Sequence, residues 1–130
     1  MPVLLDTTVL IDALRGTPDV RARLESMEHD GEIPLTSAIN VEEVFRGLRP
    51  REAEAADRLL RGLRIAPLGR AEGERAGAWR REHAQRGVTL SQSDCLVAAA
   101  AVSAGATLAT GNPKDFPFVE LTVEQWPAGN

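Results

Sequence analysis

The chain has 130 residues, the length of one ordinary domain. Hydrophobic residues make up 43% and aromatic ones only 4%, so any core must be built from Leu, Val, Ile and Ala, which suit layers of sheet and helix better than an aromatic-lined groove. A net charge of -4 excludes a protein that coats nucleic acid nonspecifically, but not a nucleic-acid enzyme whose acids are partly neutralised by a metal.

Residues 2–5, "PVLL", form a short apolar run that stops at Asp6, the pattern of a buried strand ending at a polar edge. "TTVLIDALRG" follows as a helix with Gly16 as its stop. A second helix starts at Thr17 with Pro18 in its first position and ends at Gly31. "EIPLTS" is the second strand. In "AINVEEVFRGL" the apolar residues Val41, Val44, Phe45 and Leu48 make one helical stripe, and that periodicity alone turns Glu43 away from it, towards solvent. After a break at Pro50, "REAEAADRLLRGL" resumes as helix. "RIAPL" is a third strand, residues 70–86 a polar, Arg-rich helix, and Ser91 to Ala104 a nearly all-apolar helix ending at Gly105. "ATLAT" is the fourth strand and "FVELTV" the fifth.

Strands that alternate with helices imply a parallel sheet covered on both faces. The expected architecture is one α/β domain, a three-layer α/β/α sandwich with a central parallel sheet. Cys95 is the only cysteine, so no disulfide forms within the chain, and its apolar neighbours make it a core residue rather than a nucleophile. The start "MPVLLDTTVLID" has no basic leader, and no run approaches the ~18–20 apolar residues of a membrane span. A soluble, cytoplasmic protein without membrane attachment is expected.

Sites on open parallel sheets form beyond the carboxyl ends of the strands. Asp6 follows strand one, Thr36 and Ser37 follow strand two, and Thr110, Asn112 and Asp115 follow strand four. Asp94 opens the helix that feeds strand four. Each acid has a plain reading too: Asp6 as a helix cap, Asp94 as part of the capping box "SQSD", Asp115 as a turn residue in "NPKDF", and Glu43 as a solvated side chain. Gathered together, however, such carboxylates repel one another and persist as anions only around a cation. All-oxygen donors select a hard ion, Mg²⁺ or Mn²⁺, over Zn²⁺. His29 and His83 lie in polar helical surroundings and read as surface residues.

"LLDTTVLIDAL" resembles the opening of PIN domains, and "VEEVFRGL" resembles their second block, in which a Glu precedes a Gly by four residues. That spacing selects Glu43 over Glu42. "LSQSDCLVAAAAVSAGATLATGNPKDF" resembles the third and fourth blocks, and "VELTVEQW" the closing segment. The four blocks occur in order, and the size and layout are most similar to the VapC-type ribonuclease toxins of bacterial toxin–antitoxin pairs. The resemblance implies a Mg²⁺- or Mn²⁺-dependent endoribonuclease with Asp6, Glu43, Asp94 and Asp115 as its acidic residues. Asp6 and Asp94 are then the principal metal ligands. Either Asn112 or Asp115 is the functional fourth member, and Thr7, Thr8 and Thr110 match polar positions that orient a carboxylate or water. It further implies a cognate VapB-type antitoxin, with residues 46–63 as a candidate contact region, and a homodimer. Arg46, Arg49, Arg70, Arg75, Arg80, Arg81 and Arg86 are either phosphate contacts or a solvated helical face.

Rival α/β readings fare worse. A phosphatase of the haloacid dehalogenase type needs a second Asp two residues after the first, where Thr8 stands. A phosphoacceptor receiver domain needs an acidic pair after strand one and an Asp after strand three; "DTT" and "APLGRAEG" supply neither. An inactive PIN module acting only in binding is disfavoured because all four acidic positions are filled.

Overall fold

The computed structural model describes residues 1–127. Five strands, β1 (Pro2–Leu5), β2 (Ile33–Thr36), β3 (Arg64–Ile65), β4 (Thr107–Thr110) and β5 (Val123–Gln125), form one wholly parallel sheet. Their order is β3-β2-β1-β4-β5. The chain leaves central β1 for β2 on one side and returns to β4 on the other. The carboxyl end of β1 is therefore a topological switch point, and Asp6 stands on it.

The helices are α1 (Thr7–Leu14), α2 (Pro18–His29), α3 (Ala38–Arg46), α4 (Ala53–Arg61), α5 (Arg70–Gln85) and α6 (Gln92–Ser103). They cover both faces, as expected. The two-residue alternation of a strand divides β1 between them. Val3 and Leu5 join Val9, Leu10, Val20, Met27, Ala56 and Leu60 under α1, α2 and α4. Leu4 joins Leu108 and the alanines of α6 on the other side, with Trp79 and Phe118 closing that core.

Helix α6 shows why this sequence is helical and where it stops. Ser91 Oγ accepts the Asp94 amide at 3.1 Å, capping the start. Residues Cys95 and Val97 to Ala101 are all buried, so alanines let α6 lie close to sheet and to α5 at once. At the far end Gly105 takes φ 64°, which only glycine adopts cheaply. Its amide bonds Val102 O at 3.1 Å and the Ala106 amide bonds Ala101 O at 2.8 Å, which consumes the last carbonyls and turns the chain into β4.

Three expectations change. The third strand is only the pair Arg64–Ile65, ended by Pro67, which has no amide to offer a neighbour. The fifth strand is not residues 118–123 but Val123–Gln125. Phe118 and Leu121 are instead buried in a turn, where the Leu121 amide bonds Phe118 O at 3.2 Å. Hydrophobicity there reflects anchoring to the core, not pairing. Finally, Phe45 leaves the proposed stripe of α3: it is 48% exposed, while Asn40 is fully buried. The helix is rotated about its axis because its polar face, not only its apolar one, has partners inside.

Beyond β5, Trp126 tucks into the α1–α2 core, its amide bonded to Thr110 O at 2.9 Å. Arg23 lies 4.7 Å from the Trp126 ring and bonds Glu124 at 3.1 Å and Glu32 at 3.0 Å. One arginine thus ties α2 to the edge strand and to the chain before β2.

Candidate active site

Asp6 occupies the N-cap position of α1, yet its side chain makes no cap bond. Asn40 Nδ2 donates to Oδ1 at 3.1 Å and the Thr110 hydroxyl donates to Oδ2 at 2.7 Å. Its own amide bonds Ala109 O at 2.9 Å. The carboxylate is thus held by residues from α3 and β4, and the capping explanation does not describe it. Burial pushes its pKa up from 3.8, and the charges of Asp94 and Glu43 push the same way. The Thr110 hydroxyl and Thr7 amide pull down without winning.

Glu43 is half-buried rather than free in solvent, and its Oε1 accepts the Thr7 hydroxyl at 2.6 Å. Asp94 is the third residue of α6, where the helix dipole and free amides favour an anion. Half-burial nonetheless raises its pKa from 3.8, helped by the charges of Asp115 and Glu43 and opposed by Ser91. Asp115 ends a single 3₁₀ turn, Pro113–Asp115, and is exposed. Asp6 feels Asp94 and Glu43, and Asp94 feels Glu43 and Asp115. Four acids from four segments therefore share one neighbourhood at the carboxyl edge of the sheet.

The polar residues around them take distinct places. Thr110 is fully buried and holds Asp6. Asn112 is exposed and bonds through its backbone, the amide donating to Thr110 Oγ1 at 3.1 Å. Thr8 accepts the Gly111 amide at 2.8 Å and makes no side-chain hydrogen bond to an acid among the described residues. A Cβ on Gly111 would come within 3.3 Å of that Thr8 oxygen, so glycine permits the close approach of α1 to the turn after β4. Asn40 was not singled out from the sequence. Its signal was Ser37-x-x-Asn40, a capping box with Asn in place of Glu or Gln: Ser37 Oγ accepts the Asn40 amide at 3.4 Å and the Asn40 side chain accepts the Ser37 amide at 3.3 Å.

Cys95, next to Asp94, is buried; burial raises its thiol pKa against the pull of the Arg80 charge, so it remains an inert core residue. Arg46, Arg70 and Arg75 pair with Glu42, Glu74 and Glu120 at 3.5–3.7 Å. Arg49, Arg80, Arg81 and Arg86 have no ion pair among the described residues.

The donor set fits a hard divalent cation. Its atoms are carboxylate oxygens, and Asp6 and Asp94 sit above their ordinary pKa mainly through burial, with the charges of neighbouring acids adding to it. Among the described residues no three His, Cys, Asp or Glu side chains close into a ready-made metal cage. Mg²⁺ suits such an open arrangement, since it takes one or two carboxylates and keeps several waters.

A family model described as PIN domain matches residues 3–120. The chain belongs to the PIN domain family. This PIN domain is 33% identical over 118 residues to Ribonuclease VapC10 of Mycobacterium tuberculosis, covering 91% of the chain and 88% of that protein. It is 31% identical to Ribonuclease VapC19 of the same species, covering 88% and 92%. In structure it is similar to VapBC2 from Rickettsia felis bound to a DNA fragment from their promoter, with TM-score 0.85, 26% identity, and 97% and 99% coverage. The five-stranded parallel sheet with helices on both faces is thus the fold of this PIN domain and its relatives. No described helix is long and apolar enough to cross a membrane.

Proposed function

We propose that this PIN domain is an endoribonuclease toxin that hydrolyses cellular RNA with Mg²⁺ or Mn²⁺ and is neutralised by a cognate VapB-type antitoxin. The observation that carries the proposal is the meeting of Asp6, Glu43, Asp94 and Asp115 at the switch point of the sheet, with Asp6 and Asp94 destabilised as anions first by burial and then by the neighbouring acids. Kinship with two ribonucleases along most of the chain supports the reaction.

Asp6 and Asp94 would hold the ion, with Glu43 and Asp115 completing the site directly or through water. When bound, such an ion offsets charge gathering on the phosphate and makes water easier to deprotonate near neutral pH. The remaining work belongs to the chain. Glu43 keeps one oxygen on Thr7; Oε2 has no hydrogen-bond partner among the described residues and accepts the proton of the attacking water. Thr110 and Asn40 fix both oxygens of Asp6. Asp115 is the fourth acid in preference to Asn112, because its charge reaches Asp94 whereas Asn112 acts through its amide. Thr8 holds the turn that carries them. Arg80 and its unpaired neighbours on α5 contact RNA phosphates.

The antitoxin docks over α1, α2 and α4. A groove of about 290 Å³ opens there, lined by Ala13, Leu14, Leu24, Ala55 and Leu59 and flanked by Arg58. It includes part of the 46–63 region selected from the sequence. The protein works in the cytoplasm as a homodimer, whose mass light scattering would measure. The deciding experiment maps RNA ends in cells expressing the protein beside an Asp6→Ala control. New ends confined to the wild type, with growth restored by the adjacent gene's product, are expected; identical ends in both would sink the proposal.

A further inference from the structure

Asn40 is fully buried but carries no charge for a metal and no proton for catalysis. Its orientation follows from its partners. The Ser37 backbone amide only donates, and it meets one end of the Asn40 side chain at 3.3 Å, so that end is the oxygen Oδ1. The Ser37 hydroxyl donates to the same atom at 2.6 Å. Nδ2 therefore faces the other way, towards Asp6 Oδ1 at 3.1 Å and Thr7 Oγ1 at 3.0 Å. That nitrogen carries two hydrogens, one for each acceptor, where a hydroxyl would have only one.

Thr7 is thereby constrained. Its oxygen receives a hydrogen from Asn40 and has a single hydrogen of its own, which goes to Glu43 Oε1 at 2.6 Å. The other side of Asp6 repeats the arrangement: the Asn112 amide donates to Thr110, and the Thr110 hydroxyl donates to Asp6 Oδ2. In each case a donor with no choice sets the direction of a hydroxyl that has one.

We propose that Asn40 is a positioning residue that directs the Thr7 hydroxyl and, through it, fixes Glu43 as a hydrogen-bond acceptor beside Asp6. The inference rests on Glu43 and Asp6 serving the reaction proposed above. Without the Nδ2 donor, Thr7 can turn its hydrogen to Asp6, and Glu43 loses its fixed partner. A carboxylate at position 40 keeps the oxygen that serves Ser37 but puts an acceptor where the donor stood, drawing the Thr7 hydrogen away from Glu43.

The test uses the full chain with Asn40→Asp, Thr7→Val, Thr7→Ser and the Asn40→Asp/Thr7→Val pair. Nuclear magnetic resonance without metal reads the relay directly. Wild type and Thr7→Ser should show a slowly exchanging hydroxyl proton at position 7, and Asn40→Asp should lose it. With Mn²⁺, Asn40→Asp and Thr7→Val should each lower kcat on the order of 10- to 100-fold with KM little changed, Thr7→Ser should recover most of it, and the pair should be no slower than its slower member. A hydroxyl signal that survives Asn40→Asp, or kinetic losses that multiply in the pair, overturns the proposal. If Asn40→Asp does not fold, the Thr7 variants decide: equal rates for Val and Ser at position 7 refute the relay. If wild type cleaves no RNA, the ribonuclease reading fails by itself, and the hydroxyl signal still decides the relay.

Discussion

The Thr110 hydroxyl donates to Asp6 Oδ2 at 2.7 Å, joining residues 104 positions apart at the ends of two adjacent strands. Thr110 is fully buried and Asp6 nearly so, so the bond is made in a medium where an unmatched oxygen is costly. Thr110→Val keeps the shape and removes the donor. It should cost ~1–3 kcal/mol in urea unfolding and also weaken Mn²⁺ binding by calorimetry, because one Asp6 oxygen is freed to turn. A variant of unchanged stability and unchanged Mn²⁺ affinity would show that Thr110 neither supports nor orients Asp6.

Asp94→Asn separates chemistry from folding. The Ser91 cap is made by the backbone amide of residue 94 and survives the change. RNA cleavage should be abolished while stability stays within ~1–2 kcal/mol of wild type. Without divalent ions the variant should be the more stable of the two at neutral pH, since a partly desolvated charge, repelled by its acidic neighbours, is gone. Addition of Mn²⁺ should raise the Tm of wild type and leave that of Asp94→Asn nearly fixed. Cleavage at the wild-type rate removes Asp94 from the site.

The pH dependence of stability has a defined sign. Asp6 and Asp94 hold their protons more tightly folded than unfolded, mainly through burial. Their penalty is absent below the ordinary value of 3.8 and grows as pH rises through their raised folded values. Glu32 and Glu72 behave oppositely. The Arg23 hydrogen bond and the Ser103 hydroxyl hold them below 4.5, so their support is present above that value and fades as pH falls through their lowered folded values. In chelator, wild-type Tm should fall as pH rises from about 4.5 to neutrality, and Mn²⁺ should flatten that slope. A slope of equal size with and without Mn²⁺ would argue against ion binding by these acids.

Arg23→Ala should loosen the β5 edge. It removes bonds to Glu32 and Glu124 and the cation above Trp126. A loss of ~1–3 kcal/mol is expected, with faster amide exchange at Trp126, whose amide closes the ladder to Thr110. Unchanged exchange at that amide would mean that Trp126 is held by its apolar burial alone.

Leu59→Arg places a charge in the groove between α1, α2 and α4, whose lining includes none of Asp6, Glu43, Asp94 and Asp115. RNA cleavage should remain while neutralisation by the adjacent gene's product is lost, read as growth arrest that the antitoxin no longer relieves. Normal neutralisation by the antitoxin would place its docking surface elsewhere.

Local chemistry made much of this molecule readable in one dimension. Apolar runs marked β1, β2 and β4, and Gly16, Gly31 and Gly105 marked helix ends; all three adopt positive φ. The acids at strand ends followed from the parallel sheet that those elements imply. What the chain could not display in order was the direction of polar side chains. Periodicity sent Glu43 to solvent and Phe45 to the core, whereas the fold half-buries Glu43 and exposes Phe45. Asn40 passed unnoticed because it is a polar residue in an amphipathic helix, and its worth depends on Asp6, 34 positions away. Apolar burial depends on spacing alone, but burying a polar group requires a matching partner, and only the packed sheet brings Asp6, Thr7 and Thr110 to meet it.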